Sequence, residues 1–180
     1  MAQTQPFIKE KLICGLLFKD DNLGRQAKDA LINRFGPCDY QSEVMPFHFS
    51  SYYNAEMGAG IKRQFIAFEM LYDPSLLANI KIQSNSFEEA LALNGRRQVN
   101  IDPGFIAGGH LILATTKASG HRIALNAGIY GELTLFYSRK AFQPLPWTYP
   151  DFKSDEIKEC MTQIRSMYRR QLKRQIQEPG

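Results

Sequence analysis

Residues 12–18 form a run of apolar side chains, interrupted only by Gly15, and this run places strong limits on the fold. A short run without alternating polar residues predicts a strand that is buried on both faces. Such a strand needs neighbouring strands on either side and further chain over both faces of the sheet. Because 180 residues suffice for one core of this kind, the sequence predicts a single α+β domain over residues 1–180.

A helix is predicted directly after this strand. Asp20-Asp21 can cap its N-terminus, and Gly36-Pro37 stops it with a glycine and a residue that cannot continue a helix. Between these signals apolar side chains recur every four residues, at Leu23, Ala27, Leu31 and Phe35. The spacing predicts one helix face packed on the sheet.

Two strands, a second helix and a fourth strand complete a βαββαβ order, which is typical of a ferredoxin-like fold. The predicted segments are an edge strand at 43–49, a strand at 62–72, a helix over 73–95 and a short strand at 98–101. A break in this helix is expected near Ser84-Asn85, because Ser86 and Glu89 fit a capping box. Asp102-Pro103-Gly104 then predicts a turn.

Three further runs predict an antiparallel β-meander, with strands at 111–117, 121–125 and 129–137. Both connecting segments have three residues and end in glycine, which favours hairpins with a bulge. The register then places Lys117 opposite His121, Leu125 opposite Ile129, and Arg122 opposite Glu132. One face should carry Leu111, Leu113, Thr115, Ile123, Leu125, Ile129, Leu133 and Leu135, and the other His110, Thr116, Arg122, Tyr130, Glu132 and Thr134.

The predicted organisation has four parts. They are a ferredoxin-like half at 1–105, the meander at 106–143, a proline- and aromatic-rich linker at 144–152, and a C-terminal amphipathic helix at 153–177. The apolar stripe of that helix is Ile157, Met161, Ile164, Tyr168 and Leu172.

The net charge of +4 arises in the last helix. Five basic residues fall within ten positions without an acidic residue: Arg165, Arg169, Arg170, Lys173 and Arg174. Without them the chain has 17 basic and 18 acidic residues, so the rest of the domain is close to neutral. The cluster is either a surface that contacts nucleic-acid phosphates or a solvated helix end that suits the helix dipole.

Several common enzyme motifs are absent from the sequence. It contains no P-loop, no GxGxxG dinucleotide fingerprint, no HExxH and no GxSxG. The three cysteines are widely spaced and form no zinc motif, and the N-terminus has no apolar signal segment, so we expect a cytoplasmic protein. No stretch predicts a membrane span.

Candidate site residues come from the polar side of the meander and from the loops. The candidates for acid–base or metal-ligating roles are Glu56, Asp102, His121 and Glu132, and the candidates for ligand binding are Tyr53, Arg63, Asn100, Lys117 and Arg122. Each also has a purely structural interpretation. Arg122 and Glu132 can form a cross-strand ion pair, His121 can serve a turn, and Asp102 can accept backbone hydrogen bonds in one.

Five segments carry a likeness to a known family. They are SYYNAEMG, RRQVNIDPGF, LATTKASGHRIAL, GIYGELTLFY and WTYPDF, in this order. Together they resemble a prokaryotic family of about this length that is known as domain of unknown function 4416. The resemblance implies a cytoplasmic bacterial or archaeal protein, and it brings no catalytic role with it.

Three functional hypotheses remain open. The first is a small enzyme or binding protein for a phosphorylated ligand such as a nucleotide, with a divalent metal as an open choice of cofactor. The second is a module that binds RNA or DNA through the basic helix. The third is a non-catalytic interaction subunit with an exposed apolar patch near Trp147 and Tyr149. The sequence leaves the oligomeric state open.

Overall fold

The computed structural model describes residues 1–50 and 52–177, with side chains to residue 174. The elements in chain order are β1 (Glu10–Phe18), α1 (Asp21–Phe35), β2 (Cys38–Gln41), β3 (Met45–Pro46), α2 (Asn54–Met57), β4 (Lys62–Tyr72), a 3₁₀ turn (Pro74–Leu76), α3 (Leu77–Ala90), β5 (Val99–Ile106), β6 (His110–Thr115), β7 (Ile123–Ala124), β8 (Tyr130–Ser138), β9 (Ala141–Pro144), a second 3₁₀ turn (Asp151–Lys153) and α4 (Asp155–Gln177).

Within the described residues, the strands form one antiparallel sheet. Its order is β2-β4-β1-β5-β6-β8-β7, with β3 paired to β4 and β9 paired to β8. The strand predicted to be central is therefore central, because β1 lies between β4 and β5. The predicted combination of helices with an antiparallel sheet is confirmed, and the sheet, with nine strands in the described residues, is larger than predicted.

Alternate side chains of β1 enter two different layers. Leu12, Cys14 and Leu16 pack under α1 and α3, whereas Ile13 packs under α4, and all four are fully buried. Burial of each large apolar side chain contributes about 1.5–3 kcal/mol to folding. The continuous apolar run therefore has the predicted cause, which is cover on both faces.

Helices α1 and α4 follow their predicted patterns. Asp20 caps α1 by accepting hydrogen bonds from two backbone N–H groups, and Gly36 ends the helix with φ +84°. The predicted apolar stripe of α4 is buried at its first four positions and half-buried at Leu172. This stripe fixes α4 across the face of the sheet opposite α1 and α3.

The predicted meander order is wrong, because β8 rather than β7 lies beside β6. β6 buries Leu111 and Leu113, and the nine-residue β8 covers it far better than the two-residue β7. The predicted first hairpin, with Lys117 opposite His121, is therefore absent. In the second hairpin the predicted register holds, since Ile123 lies opposite Gly131.

A register shift between Leu111 and Ile112 also changes the predicted faces of the sheet. Leu113 lies directly opposite Glu132, so the two side chains share a face, although the pattern predicts opposite faces. Leu133 lies opposite Ile112 and shares its face. A single irregularity inverts the alternation beyond it, and alternation alone does not reveal its position.

Asp102-Pro103-Gly104 does not form the predicted turn but continues β5. Pro103 lies opposite Cys14 in β1, and pairing with β6 begins only at Gly104, so the missing proline N–H falls where one neighbour is absent. Gly104 is needed for close packing, because a Cβ there would lie 2.5 Å from the Ile112 carbonyl oxygen.

The predicted second helix and edge strand also differ from the structure. α3 continues through Ser84 without a break. The hydroxyls of Ser84 and Ser86 donate to the carbonyls of Ile80 and Ile82 within the helix, so neither serine caps a second helix. The predicted strand at 43–49 is paired only at Met45 and Pro46. The short elements β2, α2 and β9 were not predicted.

Candidate functional site

The sheet opens between β5 and β6. The two strands pair only at residues 104–106 of β5, so residues 99–103 pair with β1 alone. Helix α3 covers the free edge: Lys81 Nζ donates to the Ile101 carbonyl at 2.6 Å, and the Ile101 N–H donates to Glu88 Oε1 at 2.7 Å. These side chains replace the hydrogen bonds of a neighbouring strand, which allows the opening to persist.

A cavity of about 610 Å³ lies at this opening, a size that suits a small-molecule ligand. Seven of the nine predicted catalytic or ligand-binding residues line it: Tyr53, Glu56, Arg63, Asn100, Asp102, Lys117 and Glu132. The other two, His121 and Arg122, contact Glu132. Residues that are distant in the sequence therefore meet around one space.

Arg63 is a buried cation of the cavity wall whose hydrogen bonding is incomplete. It is 4% exposed, and its Nη2 donates to Asp151 Oδ2 at 2.5 Å. Its Nη1 lies 3.6 Å from Asp102 Oδ2, and neither Nη1 nor Nε has a hydrogen-bond partner among the described residues. Three rings surround the guanidinium at 5.2, 5.3 and 5.7 Å, those of Phe47, Phe65 and Phe152. The aromatic faces stabilise the charge but accept no conventional hydrogen bond.

Asn100 and Asp102 belong to the segment of β5 that has a free edge. Asn100 Nδ2 donates to Asp102 Oδ2 at 2.9 Å, and Asn100 Oδ1 accepts from Arg97 Nη1 at 2.5 Å. Arg97 Nε lies 3.4 Å from Glu56 and 3.5 Å from Glu88. Burial raises the pKa of Glu88 above its usual value. This chain of donors and acceptors fixes the orientation of the Asp102 carboxylate at the cavity.

Glu132 is 1% exposed and holds two loops together. Its Oε2 accepts from Arg122 Nε at 2.7 Å and lies 3.0 Å from His121 Nε2. Arg122 Nη2 donates to the Tyr149 hydroxyl at 2.7 Å, and the His121 ring stacks on Trp147 with centroids 5.1 Å apart. Burial raises the pKa of Tyr149 to about 12, so this hydroxyl stays protonated at neutral pH. The predicted facing pair of Arg122 and Glu132 is thus observed as a contact.

Aromatic side chains form one side of the cavity. We call this set the aromatic wall: Phe47, Phe49, Tyr52 and Tyr53. Neighbouring rings lie 5.0–6.3 Å apart, and burial raises the pKa of Tyr53, so its hydroxyl is neutral. Lys117 Nζ lies 3.7 Å from the centroid of the Tyr52 ring, and it forms no ion pair within the part of the chain that the structure describes.

Several charged or hydroxyl-bearing lining residues are missing from the predicted site, among them Lys81, Glu88, Arg97, Tyr149 and Asp151. Arg97, Tyr149 and Asp151 lie in the RRQVNIDPGF and WTYPDF segments, so the family likeness was the signal that could have identified them. Lys81 and Glu88 are charged residues of a helix, which ordinarily indicate a solvated face. Their burial depends on the missing pairing of β5, which no local pattern reveals.

The basic cluster lies on α4 and does not line the cavity. Arg165 belongs to the fold, since its Nε donates to the Gly108 carbonyl at 2.8 Å and its guanidinium stacks on Tyr137 at 3.4 Å. The other four basic side chains of the cluster are exposed.

In the described residues, no group of three or more His, Cys, Asp or Glu side chains is arranged to hold a metal ion. No described helix is long and apolar enough to cross a membrane.

Comparison with known proteins identifies one family. No curated protein and no solved structure matches the chain. The family model described as Domain of unknown function (DUF4416) matches residues 8–168, which is most of the chain and includes every predicted residue of the cavity. The chain therefore belongs to the DUF4416 family.

Proposed function

We propose that the protein is a small enzyme or binding protein whose cavity holds a phosphorylated ligand such as a nucleotide. The observation that carries this proposal is the incomplete hydrogen bonding of Arg63. A buried donor without a partner costs about 1–3 kcal/mol, and more when it is charged. An anionic oxygen of a ligand would remove that cost, and guanidinium groups suit phosphate oxygens.

Lys117 and the aromatic wall supply the other features that such a ligand needs. Lys117 has no carboxylate partner among the described residues, so its charge is available to a phosphate. The aromatic wall offers ring faces for stacking a base, an interaction worth about 1–3 kcal/mol. If the protein is an enzyme, Asp102 and Glu132 are our candidates for the acid–base groups, because both line the cavity wall.

Calorimetric titration of the full chain with adenosine monophosphate and the three other common nucleoside monophosphates tests this proposal. We expect binding of at least one of them, weakened about tenfold by Arg63→Lys and by Lys117→Met. Lys153→Met is the matched control, because Lys153 is exposed and does not line the cavity. No binding of any phosphorylated compound, or equal binding by all four proteins, would contradict the proposal.

We also propose a cytoplasmic, prokaryotic protein whose residues 1–105 form a ferredoxin-like unit. The strand order β5-β1-β4-β2, with antiparallel neighbours and with α1 and α3 on one face, supports the ferredoxin-like assignment. The three free cysteines, Cys14, Cys38 and Cys160, are typical of a reducing compartment. The prokaryotic origin rests on the likeness of the motif segments to the family.

A further inference from the structure

The charges that line the cavity limit how many phosphate groups it can accept. Among the described residues, six acidic side chains line the cavity against four basic ones, a net charge of −2. The acidic residues are Glu56, Glu88, Glu89, Asp102, Glu132 and Asp151, and the basic residues are Arg63, Lys81, Arg97 and Lys117. A ligand with several phosphates would bring its charge into a negative environment.

Two of the four basic side chains are already committed within the protein. Lys81 donates to the Ile101 carbonyl and lies 3.6 Å from Glu88. Arg97 donates to Asn100 and lies near two carboxylates. The positive groups that remain without an acceptor among the described residues are therefore the buried Nε and Nη1 of Arg63 and the ammonium group of Lys117. Two cationic groups match one phosphate, which carries a charge of about −1.5 to −2 at neutral pH.

The carboxylates of the wall retain oxygens that can accept hydrogen bonds. Among the described residues, the charged group near Asp102 Oδ1 is Lys81 Nζ, at 3.9 Å, which is beyond hydrogen-bond distance. Within the part of the chain that the structure describes, Glu132 Oε1 accepts a single long contact of 3.4 Å, from the Thr134 hydroxyl. Ionised carboxylates accept hydrogen bonds and never donate them, so they suit the hydroxyl groups of a sugar.

We infer that the ligand is a nucleoside monophosphate, and this inference rests on the proposed function of the cavity. The single phosphate binds the guanidinium of Arg63 and the ammonium group of Lys117. The sugar hydroxyls donate to Asp102 and Glu132, and the base contacts the aromatic wall. The excess of carboxylates excludes the nucleoside triphosphate, whose additional charge has no free cation to meet.

The same calorimetric titration, extended to related compounds, tests the inference. The compounds are each nucleoside monophosphate, its triphosphate, its unphosphorylated nucleoside, ribose 5-phosphate and inorganic phosphate, with and without magnesium. We expect one monophosphate to bind at least about ten times more tightly than its triphosphate. It should also bind more tightly than the compounds that lack the base or the phosphate. Arg63→Lys should weaken the monophosphate and leave the affinity for the nucleoside unchanged.

The outcomes separate the inference from the proposed function. If the triphosphate binds as tightly as the monophosphate in either buffer, the inference is wrong and the proposed function stands. Equal binding of ribose 5-phosphate or inorganic phosphate also overturns the inference, because the base then contributes nothing. If no phosphorylated compound binds, the proposed function itself is wrong.

Discussion

Two buried cations, at opposite ends of the paired strands β1 and β4, have very different surroundings. Lys11 is fully buried, and its Nζ donates to Asp39 at 2.7 Å, to the Phe68 carbonyl at 2.8 Å and to Gln171 at 3.0 Å. Arg63 donates to Asp151 alone, and two of its nitrogens have no hydrogen-bond partner among the described residues. All the donors of Lys11 form hydrogen bonds within the protein, whereas only part of those of Arg63 do so in the described residues.

The difference separates a structural role from a binding role. The three donors of an ammonium group are all satisfied at Lys11, where the side chain of Gln171 joins α4 to the sheet. At Arg63 the fold keeps the charge buried and leaves two of its nitrogens without a hydrogen-bond acceptor among the described residues, which is favourable only if a ligand supplies one. The end of the sheet near Lys11 is therefore closed by the protein, and we propose that a ligand closes the other end.

The largest effect on stability is expected for Lys11→Met. The Phe68 carbonyl loses its donor and Asp39 loses its ion-pair partner, so the free energy of unfolding should fall by about 3 kcal/mol. Denaturant unfolding measures this loss, and Lys9→Met, at an exposed position, is the control. Ligand affinity of the folded protein should be unchanged, and a loss of affinity would show that the two ends are coupled.

Gly15→Ala should have a smaller effect on stability that extends to the cavity. A Cβ at this position would lie 2.9 Å from Arg63 Nη1 and 3.1 Å from the Phe65 ring. Because both groups are held in place, we expect a loss of about 1–2 kcal/mol and weaker ligand binding. Gly109→Ala is the matched control, since nothing lies within 4 Å of a Cβ there. Unchanged ligand affinity in Gly15→Ala would mean that the position of the guanidinium is not critical.

At the other buried cation, the substitution Arg63→Lys should reduce ligand affinity more than it reduces stability. A lysine can still pair with Asp151 and leaves fewer unsatisfied donors, so the free energy of unfolding should change by less than about 1 kcal/mol. Ligand affinity should fall about tenfold, as calorimetry can measure. If unfolding is instead as strongly affected as in Lys11→Met, Arg63 is structural and the contrast with Lys11 disappears.

Some features of the fold and of the cavity can be predicted from the sequence, and others cannot. The apolar run at 12–18, the α1 pattern and the α4 stripe are local, repeated signals, and all three correspond to observed elements. Arg122 and Glu132 could be paired because a three-residue hairpin loop fixes the register beside it. These are consequences of neighbouring positions in the chain.

The failures concern which strand lies next to which. The pattern does not show that β8 separates β6 from β7, nor that Pro103 lies within a strand whose second neighbour begins one residue later. Lys81 and Glu88 belong to the cavity only because β5 has a free edge, which is a property of the assembled sheet. The predicted site residues meet in one place because the strands and loops that carry them border the same opening.

The pH dependence of stability should have opposite signs at the two ends of the sheet. Burial raises the pKa of Glu88 above 4.5, so the folded state binds more protons than the unfolded state above pH 4.5. The free energy of unfolding of the wild type should therefore fall, relative to Glu88→Gln, as the pH rises from 4.5 through the folded-state pKa. Denaturant unfolding over this range measures the effect, and a constant difference would contradict it.

Burial lowers the pKa of Lys11 below 10.5, so between its folded-state pKa and 10.5 the unfolded state binds more protons. The free energy of unfolding of the wild type should rise with pH in this window, relative to Lys11→Met. A parallel pH dependence of the two proteins would show that Lys11 is not buried as described.

The smallest effects on stability and ligand affinity are expected from substitutions of the exposed residues of the basic cluster. Replacing Arg169, Arg170, Lys173 and Arg174 together by glutamine removes charges that contact solvent, and Arg165 keeps its place in the fold. We expect a change of less than about 0.5 kcal/mol in the free energy of unfolding, with unchanged affinity for the cavity ligand.

The second measurement on the basic cluster is the salt dependence of RNA and DNA binding by the wild type. A nucleic-acid surface loses affinity steeply as salt increases, whereas a solvated helix end gives a slope near zero. We expect the slope near zero, because one of the five cluster residues, Arg165, is committed to Gly108 and Tyr137, and Tyr168, the aromatic residue within the cluster, is buried against the sheet. A steep slope that the fourfold variant abolishes would instead move the principal binding surface from the cavity to α4, at the end of the sheet that Lys11 closes.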